Sequence, residues 1–127
     1  MELYNISKEL ANLLEKDKEV IAVLLFGSYA RGEEYRDIDI CIVLDKKYDN
    51  LTMSNKRIKY LSLLPNKYDL HIFQQLPVYI RTRVMREGKV MFCKNEDKLY
   101  AIAISTIKEF DSFEKIYNIY LDKVKNG

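Results

Sequence analysis

Val20 to Phe26 is an unbroken apolar run that stops at Gly27 and Ser28. A short run that is apolar on both parities reads as a strand covered on both faces, and the glycine marks where the strand ends and the chain turns. After a polar stretch, Asp37 to Leu44 alternates as a second strand. Asp37, Asp39, Cys41 and Val43 share one face, and Ile38, Ile40, Ile42 and Leu44 the other. A chain carrying these segments is bound to a sheet with a turn at one end and two carboxylates on one face near that turn.

The turn and the carboxylates suit one chemistry. Gly27 lets backbone N–H groups approach a ligand closely, and the Ser28 hydroxyl adds a donor for a phosphate oxygen. Two carboxylates on one face can share a hard cation such as Mg²⁺, which favours oxygen ligands and keeps substrate phosphates in its shell. Together they point to metal-assisted phosphoryl or nucleotidyl transfer. Apart, a Gly-Ser pair is an ordinary turn and an Asp-x-Asp a solvated strand end, so their order and spacing carry the inference.

The rest of the chain supplies a sandwich. Periodicity predicts a helix over 7–16, a second over 52–64 and a third strand over 68–73. Pro77 in a first turn and Gly88 as a C-cap frame a helix over 77–87, leading to a short strand over 90–93. Beyond Asn95, the stripe Leu99, Ile102, Ala103, Ile107 and Phe110, continued by Ile116, Tyr117, Tyr120 and Val124, predicts helix with most of the stripe in the core. Asp111 and Glu114 have capping-box spacing, which predicts two helices meeting near Phe110. Ile104, Phe113 and Ile119, off the stripe, are candidates for a second contact surface.

The chain has 127 residues, 48% hydrophobic, with a formal net charge of +2 and no apolar stretch approaching a membrane span. These properties predict one domain over 1–127 with no membrane association. The amphipathic, Glu2-containing N-terminus is unlike an export signal, so a cytoplasmic location is expected. Cys41 and Cys93 are too few for a disulfide framework and read as small buried residues. The basic set Arg81, Arg83, Arg86 and Lys89, interrupted by Glu87, reads as a solvated helix face, and direct nucleic-acid binding is not expected.

Gly27, Ser28, then Asp37, Ile38, Asp39 resembles the signature of the nucleotidyltransferase superfamily that includes DNA polymerase β. The fuller wording Gly-Ser-x-Ala-Arg-Gly over 27–32, followed by Asp-Ile-Asp in so short a chain, is similar to the minimal nucleotidyltransferases, the MNT-domain antitoxins encoded beside HEPN-domain toxins. The resemblance implies an α+β sandwich of the polymerase β type: a small mixed β-sheet flanked by helices, with a helical C-terminus. It implies Asp37 and Asp39 as metal ligands and a third carboxylate on another strand.

Asp69, in the alternating segment from Tyr68 to Phe73, is the candidate for that third position, helping to hold the metal and to deprotonate the attacking hydroxyl. Asp45 shares strand parity but would stand about 26 Å from Asp37 along a continuing strand. Glu33 and Glu34 match the family's variable polar spacer. Gly27 and Ser28 would cradle the triphosphate. Arg31 is placed beside a phosphate or in a surface ion pair. Arg36 departs from the small residue, often Ser, that commonly precedes this Asp-x-Asp. His71, the lone histidine, shares the Asp69 face, but family metal binding is carboxylate-based and His71 is left outside the ligand set.

The implied activity is Mg²⁺-dependent transfer of AMP from ATP to a tyrosine hydroxyl of a partner HEPN RNase toxin, with Mn²⁺ as an alternative ion and a homo- or hetero-oligomer as the expected assembly. Two other functions fit the same residues: a noncatalytic antitoxin acting by contact, and a nucleotidyltransferase acting on a small molecule or an RNA.

Overall fold

β1 (Val20–Phe26) and β2 (Ile38–Leu44) pair antiparallel and form the centre of a four-stranded mixed sheet of order β3-β2-β1-β4. The computed structural model describes residues 2–34 and 36–126. β3 (Tyr68–Ile72) lies parallel to β2, and β4 (Lys89–Cys93) antiparallel to β1 on the other edge. A parallel neighbour requires a crossover, supplied by α4 (Asn50–Leu61) between β2 and β3.

Two helices precede the sheet, α1 (Leu3–Ile6) and α2 (Lys8–Lys16). Ser7 divides them, its side chain accepting the Leu10 N–H at 3.2 Å as an N-cap. α4 is capped in the same way, the Asp49 carboxylate accepting the Thr52 N–H, and it ends three residues short of the predicted Leu64.

Because β1 and β2 are central, both their faces are covered, which is why they read as near-continuous apolar runs. On one face Val23, Leu25, Ile38, Ile40, Ile42 and Leu70 pack against Leu10 and Leu14 of α2 and Met53 and Tyr60 of α4. On the other, Ala22, Leu24, Cys41, Val43 and Phe73 pack against Val84 of α5 (Val78–Glu87), with Leu99 and Ile102 closing over them. A register shift between Val20 and Ala22 lets Ile21 and Ala22 both serve this second core.

Gly88 ends α5 as expected, donating to the Val84 carbonyl at 2.8 Å, but it is extended (φ −66°, ψ 150°) rather than left-handed. Crowding demands the glycine here: a Cβ would stand 2.4 Å from the Val84 oxygen.

The C-terminal segment corrects the sequence reading. It is one continuous helix, α6 (Glu96–Asn126), with no break near Phe110, so Asp111 and Glu114 cap nothing. Thr106 is buried and Leu99, Ile102, Ala103, Ile107 and Phe110 are half-buried, but from Asp111 onward every described residue is exposed, Ile116 at 69% and Val124 at 63%. The second half of the apolar stripe therefore lies outside the core of this chain. Arg81 is no free basic residue either: it forms a bidentate pair with Glu109 (2.8 and 3.0 Å) that ties α5 to α6. Among the described residues no helix is long and apolar enough to cross a membrane.

Candidate active site

At the end of β1 the chain passes into one helical turn, α3 (Gly27–Ala30). Gly27 holds φ +80°, and a Cβ on it would lie 2.6 Å from Asp39 Oδ2. Both the backbone conformation and the space therefore demand glycine. The antiparallel register that pairs Phe26 with Asp39 is what brings this turn onto the carboxylate.

On the other side of β2, the parallel register pairs Asp39 with Asp69 and Cys41 with His71. Residues in lateral register project from the same face, so Asp39, Asp69 and His71 meet above the sheet. His71 Nε2 lies 3.3 Å from Asp39 Oδ1 and 3.2 Å from Asp69 Oδ2. One donor atom from each of the three falls within 4.8 Å of the others. Asp69 is pinned from behind: its Oδ1 accepts from Arg57 Nη2 at 3.2 Å and from the Leu70 N–H at 2.8 Å. Arg57 is itself fixed by donating Nε to the Leu70 carbonyl. The edge of Phe26 against the His71 ring, centroids 5.4 Å apart at 73°, holds the imidazole in place.

Asp37 stands just before β2. It is exposed and lines an open cleft of about 510 Å³ with Ser28, Glu34, Arg36 and Asp39. Partial burial pushes the Asp39 carboxyl above its ordinary value; the hydrogen bond and charge of His71 oppose this, while the charges of Asp69 and Asp37 add to it. Among the described residues the group whose donor atoms converge closely enough for one cation is Asp39, Asp69 and His71; Asp37 lines the same cleft as Asp39 without joining that group.

Gly27, Ser28, Asp37, Asp39 and Asp69 all reach this end of the sheet. Arg31 does not open onto the cleft: its guanidinium pairs with Glu33 at 2.7 Å and Glu87 at 3.3 Å. Asp45 sits at the far end of β2, accepting from the Tyr48 hydroxyl. The sequence reading omitted Arg57, which gives no local signal because only the β2-α4-β3 crossover brings it to Asp69. His71, which the i+2 spacing placed on the Asp69 face, does lie there, with one nitrogen beside both carboxylates.

Residues 8–97 match the family model described as Polymerase beta, Nucleotidyltransferase. The chain belongs to this family. Among relatives of the polymerase β family, protein adenylyltransferase MntA of Shewanella oneidensis is 25% identical over 127 residues, covering 98% of this chain and 90% of MntA. MJ1547 of Methanocaldococcus jannaschii, provisionally named a protein adenylyltransferase, is 40% identical over 77 residues, 58% of this chain and 57% of that protein's length.

The fold is shared with a chain of the tri-AMPylated Shewanella oneidensis HEPN toxin in complex with MNT antitoxin. The TM-score is 0.69 at 22% identity, with 98% of each chain covered. A toxin-antitoxin structure with AMP-PNP matches at TM-score 0.67 and 24% identity, covering 92% of this chain and 97% of that one. The family match and these shared folds bear out the polymerase β-like architecture expected from the sequence: a mixed sheet, flanking helices and a helical C-terminus.

Proposed function

We propose that this chain is a protein adenylyltransferase antitoxin that moves AMP from ATP onto a tyrosine hydroxyl of a HEPN-type toxin. The observation that carries the reading is the Asp39–Asp69 register beside the Gly27–Ser28 turn, which sets a carboxylate cluster next to a glycine turn at the strand end. The near full-length similarity to MntA supports a protein as acceptor.

Asp37, Asp39 and Asp69 would hold Mg²⁺, or Mn²⁺ in its place. Such an ion supplies charge neutralisation for the triphosphate and a lowered pKa for a bound hydroxyl. The chain's own groups do the rest. The Gly27–Ser28 turn holds phosphate oxygens through backbone N–H groups and the Ser28 hydroxyl. Asp69, oriented by Arg57 and the Leu70 N–H, would receive the phenolic proton as the tyrosine oxygen bonds to the α-phosphorus. The α–β anhydride bond breaks and pyrophosphate leaves with the electron pair. Arg31 would reach a phosphate only by leaving Glu33 and Glu87.

The test is co-expression with the neighbouring gene product and intact-mass measurement of that partner, against an Asp37→Ala, Asp39→Ala double variant. Whole AMP increments that require both aspartates are expected. An unmodified but bound and silenced partner would replace this reading with neutralisation by contact. Label from ATP appearing only on an RNA or a small molecule would replace the acceptor.

A further inference from the structure

We propose that His71 is a nitrogen ligand of the metal site, giving it a mixed nitrogen and oxygen donor set that takes a first-row transition ion such as Mn²⁺ or Co²⁺ in preference to Mg²⁺. This rests on the reading that Asp39 and Asp69 hold a divalent cation, and extends it to which cation.

Three observations carry it. Ligands bonded to one ion at about 2.1 Å stand roughly 3.0 Å apart at an octahedral right angle and roughly 3.4 Å apart at a tetrahedral angle. His71 Nε2 stands 3.2 Å from an Asp69 oxygen and 3.3 Å from an Asp39 oxygen, within that range for both.

Next, a ring nitrogen has at most one proton and makes one good hydrogen bond. That bond goes to Asp39; the equally close Asp69 oxygen pairs with the same atom only while the ring is charged, whereas a shared ion would draw both oxygens to a neutral ring.

Finally, the cluster is oriented in advance of any ion. Arg57 and the Leu70 N–H occupy Asp69 Oδ1 and turn Oδ2 inward, while the edge of Phe26 fixes the imidazole plane. Ligands held from behind in this way are the mark of a built site. Imidazole favours the later first-row ions, whereas Mg²⁺ prefers oxygen and retains its waters, so adding His71 to two carboxylates shifts the preference away from Mg²⁺.

The contrasting role is positioning: His71 would only orient Asp39 through a hydrogen bond. Selectivity separates the two. The full chain is titrated calorimetrically with MnCl₂ and with MgCl₂, and compared with His71→Gln, which keeps a donor toward Asp39 but offers no imidazole. Melting curves check that the variant folds.

A ligand role predicts Mn²⁺ binding about tenfold or more tighter than Mg²⁺ in the native chain, with that margin lost in His71→Gln while Mg²⁺ affinity stays within about twofold. Equal weakening of both ions, or of neither, overturns it. The native chain gives a second readout that needs no variant. His71 is the only histidine, so paramagnetically shifted imidazole protons in the Co²⁺-loaded chain can come from no other residue. Their absence overturns the ligand role.

Asp39→Asn serves as the control. If it binds both ions as tightly as the native chain, the carboxylate site itself is wrong. If it binds neither and His71→Gln keeps the native selectivity, only the ligand role of His71 fails.

Discussion

Gly27 stands against Asp39 so closely that one added methyl group would lie 2.6 Å from Asp39 Oδ2, and its φ of +80° is one that side chains resist. Gly27→Ala should therefore cost about 1–3 kcal/mol of stability through strain at this turn. It should also displace Asp39 and lower AMP transfer by about 100-fold or more, since misplacement on the scale of 1 Å is enough. Urea unfolding and label incorporation on matched folded protein measure the two effects. Full activity in this variant would remove Gly27 from the site.

Asp39 is a stability burden that a bound cation would relieve. Its folded pKa is raised, by burial first and by the charges of Asp69 and Asp37, against the opposing pull of His71. A group raised in this way favours the fold most below its ordinary value of 3.8, and that contribution is lost as pH rises through the folded value. Asp39→Asn keeps an oxygen acceptor for His71 and should melt at or above the native temperature in chelator, while losing AMP transfer. Added divalent ion should raise the melting temperature of the native chain alone.

Asp17 behaves in the opposite way. Burial alone would push its carboxyl up, but hydrogen bonds from Lys56 (2.6 Å), the Tyr60 hydroxyl and the Glu19 N–H (3.0 Å) hold it below 3.8. A depressed carboxyl stabilises the fold above its ordinary pKa and loses that contribution as pH falls through the lower folded value. Asp17→Asn should cost about 2 kcal/mol at pH 7. The gap from the native chain should close below pH 3.8, read from denaturant midpoints across an acid series.

Residues 111–126 are exposed and add nothing to the core described above. Ending the chain after Phe110 should leave the melting temperature within about 2 °C of the full chain, because exposed surface positions rarely move stability by more than about 0.5 kcal/mol. A loss of many degrees would mean that the second half of α6 is supported by contacts within this chain.

What the sequence made legible followed from two periodicities. The apolar runs and the alternation from Asp37 placed β1, β2 and both aspartates on their faces, and the Tyr68 to Phe73 alternation placed Asp69 and His71 together. Local pattern cannot show lateral register. That Asp39 faces Asp69 across neighbouring strands, and that Arg57 arrives from α4 to pin it, are products of the crossover. The apolar period of α6 was read correctly as helix, but a period alone does not say whether a face meets this chain's core. Arg31 was placed beside a phosphate or in an ion pair, and Glu87, fifty-six residues further on, engages it.

The spacing of Asp39 and Asp69 is set by the gap between hydrogen-bonded strands, which side chains cannot stretch. The two backbones cannot drift apart while β2 and β3 remain paired, and Arg57 with the Leu70 N–H fixes the Asp69 carboxylate on its side. Closure of that strand pair is therefore what brings the two aspartates side by side. A lesion in the apolar packing beneath, at Ile40 or Leu70, would silence the chemistry without touching any residue that performs it.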